Sequence, residues 1–462
     1  MLNKYKILAI ISMFSTAYFV YQEPSAVYVF LLNLLVQLIC FVGIVLEKDH
    51  TAISFWKLLF FTCFLFNFWR AGFALVYPEV VADHRYIPRV GLDDQIYGAL
   101  VFFIGILFTF LGYALSHKLN EGRSSNHNAE SMRFQYIHTA LTNRIYIKGA
   151  YIIAIVAAIA ALLFSESSGI LSSKRVFTTD TGVVTRFGPI RFILGAAYLY
   201  ILTVLYYRYF AGKKLTSLIA PALILVAVGV VISLRIFIVL PLIPFIFDNF
   251  HKIRPKRFFA FLCSVVFISF LLTYTLGMRT TGGEYKVSNV GTTIVEIASQ
   301  ITNNLNFGGY LPTAITTSMV SEVAPVYYGE TLIINPIRQF IPRTFLPSKP
   351  EELGGEVRKM LQQIGFFPTW LQGGIPPGAY AEFWLNFRWF GVLLGSAIFG
   401  WCAYTINVKK EISGSAAVAA YYSVITVLII LFFIGGVLSR LVIMWVQLNL
   451  IIYALATLNK FR

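Results

Sequence analysis

The residues of this sequence that are best suited to chemistry are basic and lie in one segment, 279–388. Arg338 is followed by Arg343 and then by Lys349. A guanidinium is planar, binds phosphate or carboxylate through two parallel hydrogen bonds and does not deprotonate, whereas the Lys ammonium is a mobile point charge. These side chains therefore predict a binding site for an anionic, phosphorylated ligand.

Three further arginines are candidates for the same site. Arg235 separates two apolar runs, Arg279 follows another, and Arg358 lies within the segment itself. A charge between two membrane spans needs a partner, which favours a functional role for Arg235. Arg279 equally fits a side chain that snorkels from a helix end. For the set as a whole, the alternative is pairing with acidic side chains or with anionic lipid headgroups.

Glu382 is the candidate general base, because a carboxylate near the phosphate site could take the proton of an acceptor hydroxyl. The alternative for Glu382 is an ion pair with Arg388 or with another arginine. Trp370 and Tyr380 could stack on sugar rings, or they could belong to the aromatic belt at the membrane interface.

Segment 279–388 contains no His and no Asp. This composition argues against a zinc site, a Ser-His-Asp triad and a paired-carboxylate metal site in the segment. Elsewhere on the side of the membrane that the charge distribution below assigns to the outside, a metal site would have to come from Asp83 and His84 or from Asp93 and Asp94. The sequence thus predicts no metal and no cofactor.

The composition indicates which elements must position these residues. Hydrophobic residues make up 58% of the 462 residues and charged residues only 13%, and the mean hydropathy is +0.73. Soluble domains carry about one quarter charged residues. The chain is therefore predicted to be an all-α polytopic membrane protein. Twelve apolar runs have the length of a span, at 7–22, 26–46, 55–77, 96–116, 146–165, 189–208, 216–234, 236–247, 258–277, 389–407, 415–435 and 440–458.

The charge distribution predicts the orientation. With both termini in the cytoplasm, the cytoplasmic segments hold 13 Lys and 7 Arg of the 37 basic residues, and the outer side holds 4 Lys and 13 Arg. An excess of basic residues is typical of cytoplasmic loops, so the net charge of +16 does not predict a nucleic-acid partner. The excess of Arg over Lys on the outer side supports the prediction of a phosphate-binding site there.

Three regions follow from this topology. Residues 1–278 form nine spans, 279–388 form a large outer segment, and 389–462 form the last three spans. Within the outer segment, apolar residues at helical spacing predict short helices at 292–305 and 355–364. Numerous Pro and Gly residues between them predict a shaped loop.

Two runs in this region carry a resemblance to a known family. The first is Tyr328-Gly329-Glu330-Thr331, followed by Ile341-Pro342-Arg343 and Pro347-Ser348-Lys349-Pro350. The second is Gly373-Gly374-Ile375-Pro376-Pro377, followed by Ala381-Glu382-Phe383, Asn386-Phe387, Gly391 and Gly395. In order, spacing and position before the third-last span, these runs resemble the Wzy-type oligosaccharide repeat-unit polymerases of bacterial surface polysaccharide assembly.

The resemblance covers about 240–400 and, more loosely, the whole chain. It implies a GT-C-like membrane fold and a metal-independent polymerase of the bacterial inner membrane that uses undecaprenyl-pyrophosphate-linked glycans at the outer face. In that reaction, the growing chain moves onto the incoming repeat unit. The lipid bilayer is an implied partner, and a chain-length regulator and a flippase are candidate protein partners. Arg338, Arg343 and Lys349 would bind the pyrophosphate above Arg235 and Arg279.

Two other classes remain open. One is another lipid-linked glycan enzyme such as an O-antigen ligase, although ligases of that kind typically have a functional His in the large outer loop. The other is a transporter for lipid-linked oligosaccharides, which would predict internal repeats and charged residues near the midplane of the spans.

Overall fold

The computed structural model describes residues 2–47, 53–76, 90–120, 127–163, 188–214, 216–232, 240–243, 309–320, 323–341, 346, 353–366, 377–435 and 437–458. Helices account for 89% of the described residues, and none of these residues lies in a strand. The predicted all-α class is therefore confirmed for this part of the chain.

The α-helices of the described residues are numbered in chain order. In the first part of the chain they are α1 (Leu2–Gln22), α2 (Val27–Leu46), α3 (Phe55–Cys63), α4 (Trp69–Val76), α5 (Leu92–Asn120), α6 (His127–Thr142), α7 (Arg144–Leu163), α8 (Gly188–Phe210) and α9 (Thr216–Ile232). They continue with α10 (Tyr310–Ala314), α11 (Asn335–Phe340), α12 (Leu353–Gln363), α13 (Ala379–Ile412), α14 (Ala416–Gly435) and α15 (Leu438–Leu458). Short π-helical segments cover Phe64–Phe68, Ile315–Met319 and Glu330–Ile334.

Six of the described helical stretches are long and apolar enough to cross a membrane: Pro24–Leu46, Leu92–Asn120, Phe192–Phe210, Ala379–Glu411, Ala416–Phe433 and Leu438–Leu458. Each coincides with a span predicted from the sequence. The chain is a multi-pass helical membrane protein.

Four of the other predicted spans correspond to a bent or shorter helix or lie largely outside the described residues. The span at 146–165 falls in the second arm of a pair, Phe134–Thr142 and Arg144–Ile159, which is bent by 70°. The span at 216–234 corresponds to a shorter apolar helix, Thr216–Gly229. Residues 258–277 lie outside the described residues, as does most of 236–247. The number twelve therefore stays a prediction.

Helices α8 and α14 form the centre of the bundle. Residues 197–206 of α8 are buried on every face, and 83% of the apolar stretch of α14 is buried, against 22% for α15. Tyrosines of α8 reach neighbouring backbone: the Tyr200 hydroxyl donates to the Ala140 carbonyl (2.5 Å) and that of Tyr206 to Leu240 (2.9 Å). By contrast, α1 and α7 each expose an apolar face, which suits contact with lipid.

Glycines allow α5 to approach its neighbours closely. A Cβ added at Gly112 would lie 2.0 Å from the Ala397 carbonyl oxygen, and one at Gly400 would lie 1.9 Å from the Thr109 carbonyl oxygen. Small residues permit such close helix packing in membranes. As a result α5 and α13 form one tightly packed pair that carries most of the candidate site.

A buried polar cluster lies at one end of this pair, which we call the Glu47 end. The carboxylate of Glu47 accepts hydrogen bonds from Asn407 and Ser54, and the Asn407 amide also donates to the Tyr113 hydroxyl (3.2 Å). Lys410 is buried and donates to the Ile53 carbonyl. This cluster joins the end of α2 to α5 and to the end of α13.

The helix predicted at 355–364 is present as α12, Leu353–Gln363. Val357 and Leu361, two members of its predicted apolar face, are fully buried. The helix predicted at 292–305 lies outside the described residues.

Candidate functional site

The site is built around an interruption of α13. Phe387 (φ −143°, ψ 20°) and Arg388 (φ 53°, ψ −139°) are not helical. Beyond the break, the chain folds back along the first segment, because Cβ atoms added at Gly391 and Gly395 would both collide with Phe383. The short segment 379–386 is thus enclosed by the bundle, with each of its residues buried. The prediction from the sequence that 279–388 forms the outer segment as a whole stays a prediction.

The break leaves helix carbonyl groups without their usual donors. The backbone N–H groups of Tyr327 and Tyr328 donate to the carbonyls of Leu385 and Asn386, at 3.2 and 3.1 Å. Gly329 follows with φ 88° and lies against Phe387, where an added Cβ would be 3.0 Å from the ring. Main-chain hydrogen bonds therefore dock the Tyr328-Gly329-Glu330-Thr331 run onto the interrupted helix.

Glu382 is buried at this junction and is held from two sides. Its Oε2 accepts the backbone N–H of Leu438 (3.1 Å), the first residue of α15, where N–H groups have no partner within the helix. The Thr331 hydroxyl also hydrogen-bonds the carboxylate. Asn386 donates in turn to Thr331 Oγ1 (2.6 Å). The Glu382 carboxylate is thus fixed in position, as catalytic carboxylates are.

Arg338 lies on α11, next to this junction. Its Nη1 is 2.5 Å from Glu330 Oε1, and the two side chains are 38% and 40% exposed. An exposed pair of this kind contributes about 0 to 1 kcal/mol. The pairing that the sequence left open as an alternative thus occurs for Arg338, with an acidic residue of the first run. Because the pair is weak, Arg338 remains able to exchange Glu330 for an anionic ligand.

Arg388 has a different environment from Arg338. Its guanidinium carbon lies 4.0 Å from the centre of the Trp384 ring. The ion pair with Glu382 that the sequence left open is not formed, because the helix breaks between them and Glu382 is held by Leu438 and Thr331.

Tyr380 is placed deep in the bundle. Its hydroxyl lies 3.0 Å from Thr109 Oγ1, and its ring makes edge contacts with Phe102 and Phe433. The backbone of Gly105 lies directly against the ring. Tyr380 therefore anchors the enclosed segment 379–386 to α5 and α14, and it is 1% exposed.

Helix α12 is joined to the same junction by Tyr327. The hydroxyl of Tyr327 hydrogen-bonds the Glu356 carboxylate; burial first, and then the carboxylates of Glu356 and Glu330, raise the pKa of Tyr327. Arg358 lies half-buried on α12, two residues after Glu356. The structure thus brings Glu382, Arg338 and the helix of Arg358 to one end of the bundle, which we call the Glu382 end.

Five of the predicted site residues lie outside the described residues: Arg235, Arg279, Arg343, Lys349 and Trp370. No group of three or more His, Cys, Asp or Glu side chains could hold a metal within the described ranges. Asp83 and His84 are not in those ranges, so the metal-free character of the site stays a prediction.

The sequence did not identify several residues that build the site. Thr331 and Asn386 lie within the two runs that carry the family resemblance, so their positions were marked but their roles were not. Leu438 contributes only its backbone N–H, for which no side-chain signal exists. Comparisons with family models, with curated proteins and with solved structures found no match to the chain.

Proposed function

We propose that the protein is a membrane glycosyltransferase that polymerises oligosaccharide repeat units linked to undecaprenyl pyrophosphate, at the outer face of the bacterial inner membrane. One observation carries the proposal. The described parts of the two runs that resemble repeat-unit polymerases, 328–331 and 381–387, pack on each other and hold Glu382 between Thr331 and the N-terminus of α15. Arg338 and Arg388 lie beside these parts.

The proposed reaction uses these groups as follows. A hydroxyl of the incoming repeat unit attacks the anomeric carbon of the growing chain, and the bond between that carbon and the pyrophosphate oxygen breaks. The pyrophosphate leaves with the electron pair, and the hydroxyl proton passes to Glu382. Arginines stabilise the charge on the leaving group, with Arg338, Arg343, Arg358 and Lys349 as candidates. No metal or cofactor enters the proposal.

A lipid-linked substrate also needs a place for its hydrocarbon chain. An apolar groove between α13, α14 and α15 is lined by Ile406, Ile425, Leu428, Ile429, Leu441, Val442 and Trp445. Leu441 lies one helical turn from Leu438, whose N–H contacts Glu382. The groove thus starts beside the candidate site, which supports a substrate with a polyprenyl chain.

The orientation is part of the proposal: a GT-C-like bundle of twelve spans, cytoplasmic termini and an outer segment 279–388. Cysteines introduced at Ser124 and Ser288 and labelled with a membrane-impermeant reagent test it in cells with a permeabilised outer membrane. We expect Ser288→Cys to be labelled and Ser124→Cys to be protected; the reverse pattern would refute the orientation. A chain-length regulator and a flippase remain proposed protein partners.

A second candidate is a transporter of lipid-linked oligosaccharides. The observation that favours it is the presence of buried ionisable side chains within predicted spans or beside them, namely Lys57, Glu382 and Lys410. Such residues mark substrate or ion pathways in many transporters.

Polymerisation by the purified protein in detergent separates the two candidates, because transport needs two compartments. We expect detergent-solubilised protein to convert lipid-linked repeat units into a ladder of longer glycans, and to do so in excess EDTA. Absence of a ladder from folded preparations would favour the transporter. Loss in EDTA that magnesium or manganese restores would refute the metal-free reaction and direct attention to Asp83, Asp93 and Asp94.

A further inference from the structure

Backbone strain in the described chain is concentrated at one junction. Tyr328 (φ 47°) and Arg388 (φ 53°) are the two non-glycine residues with positive φ among the described residues. They meet at the break in α13, where the Tyr328 N–H donates to the Asn386 carbonyl. Non-glycine residues persist in this region when the surrounding structure holds them there, and they cluster at ligand sites. The backbone strain thus makes Arg388 a candidate ligand-binding residue.

The polar atoms beside this strain lack partners. The Arg388 guanidinium carbon lies over the Trp384 ring, 4.0 Å from its centre, and Nη1 is buried without an acceptor anywhere in the described ranges. The indole Nε1 of Trp384 is likewise a buried donor without an acceptor there, and Trp384 is only 6% exposed. Native proteins rarely leave two adjacent buried donors unsatisfied.

The carboxylates of the same junction are already engaged. Glu382 accepts from Leu438 and Thr331, Glu330 pairs with Arg338, and Glu356 hydrogen-bonds Tyr327. None of the three pairs with Arg388 within the described part of the chain. A partner for the two donors, one of them permanently charged, would supply acceptor oxygens, and an oxyanion has this chemistry.

We propose that Arg388 and Trp384 form a binding site for a phosphate oxyanion, and that its ligand is the diphosphate of the lipid-linked substrate. The identity of the ligand rests on the proposed function, whereas the oxyanion site rests on the geometry alone. The Trp384 ring holds the guanidinium through a cation–π contact, and a guanidinium can form parallel hydrogen bonds with phosphate oxygens. The sequence singled out Arg338 for this role, but in the structure Arg338 has a carboxylate partner, whereas Arg388 has none among the described residues.

Isothermal titration of the purified full chain in detergent tests the proposal, with farnesyl pyrophosphate as the probe and inorganic pyrophosphate and phosphatidylglycerol as comparisons. Arg388→Lys keeps the charge but removes the planar fork, and Trp384→Phe keeps the stacking ring but removes the donor. Arg144→Lys and Trp401→Phe are matched controls, because both side chains are exposed on other parts of the bundle.

We expect Arg388→Lys to weaken farnesyl pyrophosphate binding at least about tenfold and Trp384→Phe about three- to tenfold, since each removes one charge-assisted or buried hydrogen bond. The controls should bind as the parent does. Equal binding by all four variants would overturn the proposal. Phosphatidylglycerol binding as tightly as farnesyl pyrophosphate in an Arg388-dependent manner would overturn the diphosphate as the ligand, because the oxyanion site would then hold a lipid headgroup.

Polymer formation, measured as the ladder of glycans, distinguishes a failure of this inference from a failure of the proposed function. If the parent binds farnesyl pyrophosphate through Arg388 and Trp384 but forms no polymer, the proposed function fails and the diphosphate site stands. If Arg388→Lys makes polymer and binds the probe as the parent does, the proposed function stands and the site is refuted.

Discussion

The two buried carboxylates at opposite ends of the α5–α13 pair have similar neighbours and different surroundings. Glu47 is linked to Asn407 and Ser54, and Glu382 is linked through Thr331 to Asn386. Both asparagines keep an Oδ1 without a partner in the described part of the chain. A buried carboxylate with an amide and a hydroxyl beside it therefore does not by itself distinguish a site from a structural cluster.

The two ends differ in the environment of their buried cations and in the geometry of the backbone. At the Glu47 end the buried cation Lys410 is satisfied by a fixed backbone carbonyl. At the Glu382 end Arg388 has positive φ, lies on an aromatic ring and has a buried N–H with no acceptor among described residues. Unsatisfied donors combined with backbone strain support the ligand site that we propose at the Glu382 end.

The largest effect expected from this comparison is on catalysis at Glu382. Glu382→Gln keeps the size of the side chain but removes the base, so we expect polymer formation to fall about 100- to 10,000-fold while the protein remains folded. Glu47→Gln should leave polymer formation per folded molecule unchanged and destabilise the fold. It removes a charged acceptor of hydrogen bonds from Asn407 and Ser54, which costs about 1.5 to 3 kcal/mol of stability.

Both variants are measured by the glycan ladder per folded molecule and by thermal unfolding in detergent. Normal polymer from Glu382→Gln, or loss of polymer from Glu47→Gln protein that is still folded, would remove the distinction between the two ends.

The second prediction concerns stability at the strained junction. Glycine adopts positive φ without steric cost, so Arg388→Gly should stabilise the fold by about 1 kcal/mol while lowering polymer formation about 10- to 100-fold. Lys148→Gly is the control with the opposite sign. Lys148 is exposed inside a regular helix, where glycine costs about 0.5 to 1 kcal/mol. A destabilised Arg388→Gly variant would show that the guanidinium serves packing.

The smallest expected effect concerns the Arg338–Glu330 pair. If Arg338 can exchange its carboxylate for a phosphate, Glu330→Gln removes a competitor. We expect it to tighten farnesyl pyrophosphate binding about two- to fivefold, in line with the modest energy of an exposed ion pair. Weaker binding by this variant would contradict the exchange and would assign the pair to the architecture of α11.

Much of the scaffold could be predicted from apolar runs alone, because span length and hydropathy are local properties of the sequence. The predicted start of a span at 389 coincides with the break in α13 after Arg388. The described parts of the two runs with the family resemblance both contribute to the Glu382 junction, whereas the resemblance itself stays a prediction.

The fold-back of 379–386 into the bundle could not be predicted from the sequence. This segment is too short to show a clear periodicity, and its Glu and Asn suggest exposure. Its burial depends on partners far away in sequence: Leu438 lies 56 residues beyond Glu382, and Thr109 lies 271 residues before Tyr380. Likewise, the spacing of Glu382 and Arg388 suggests an ion pair only if the helix is continuous, and it is not.

The hydrogen bond between Glu382 and the Leu438 N–H has a consequence for biosynthesis. The ribosome must add 56 residues after Glu382 before the donor exists. At about 5 to 20 residues per second, this takes about 3 to 11 s, during which two further spans must emerge and insert. The hydrogen bond that holds Glu382 in the enclosed segment therefore forms only after α14 has been synthesised and the first residue of α15 has been added.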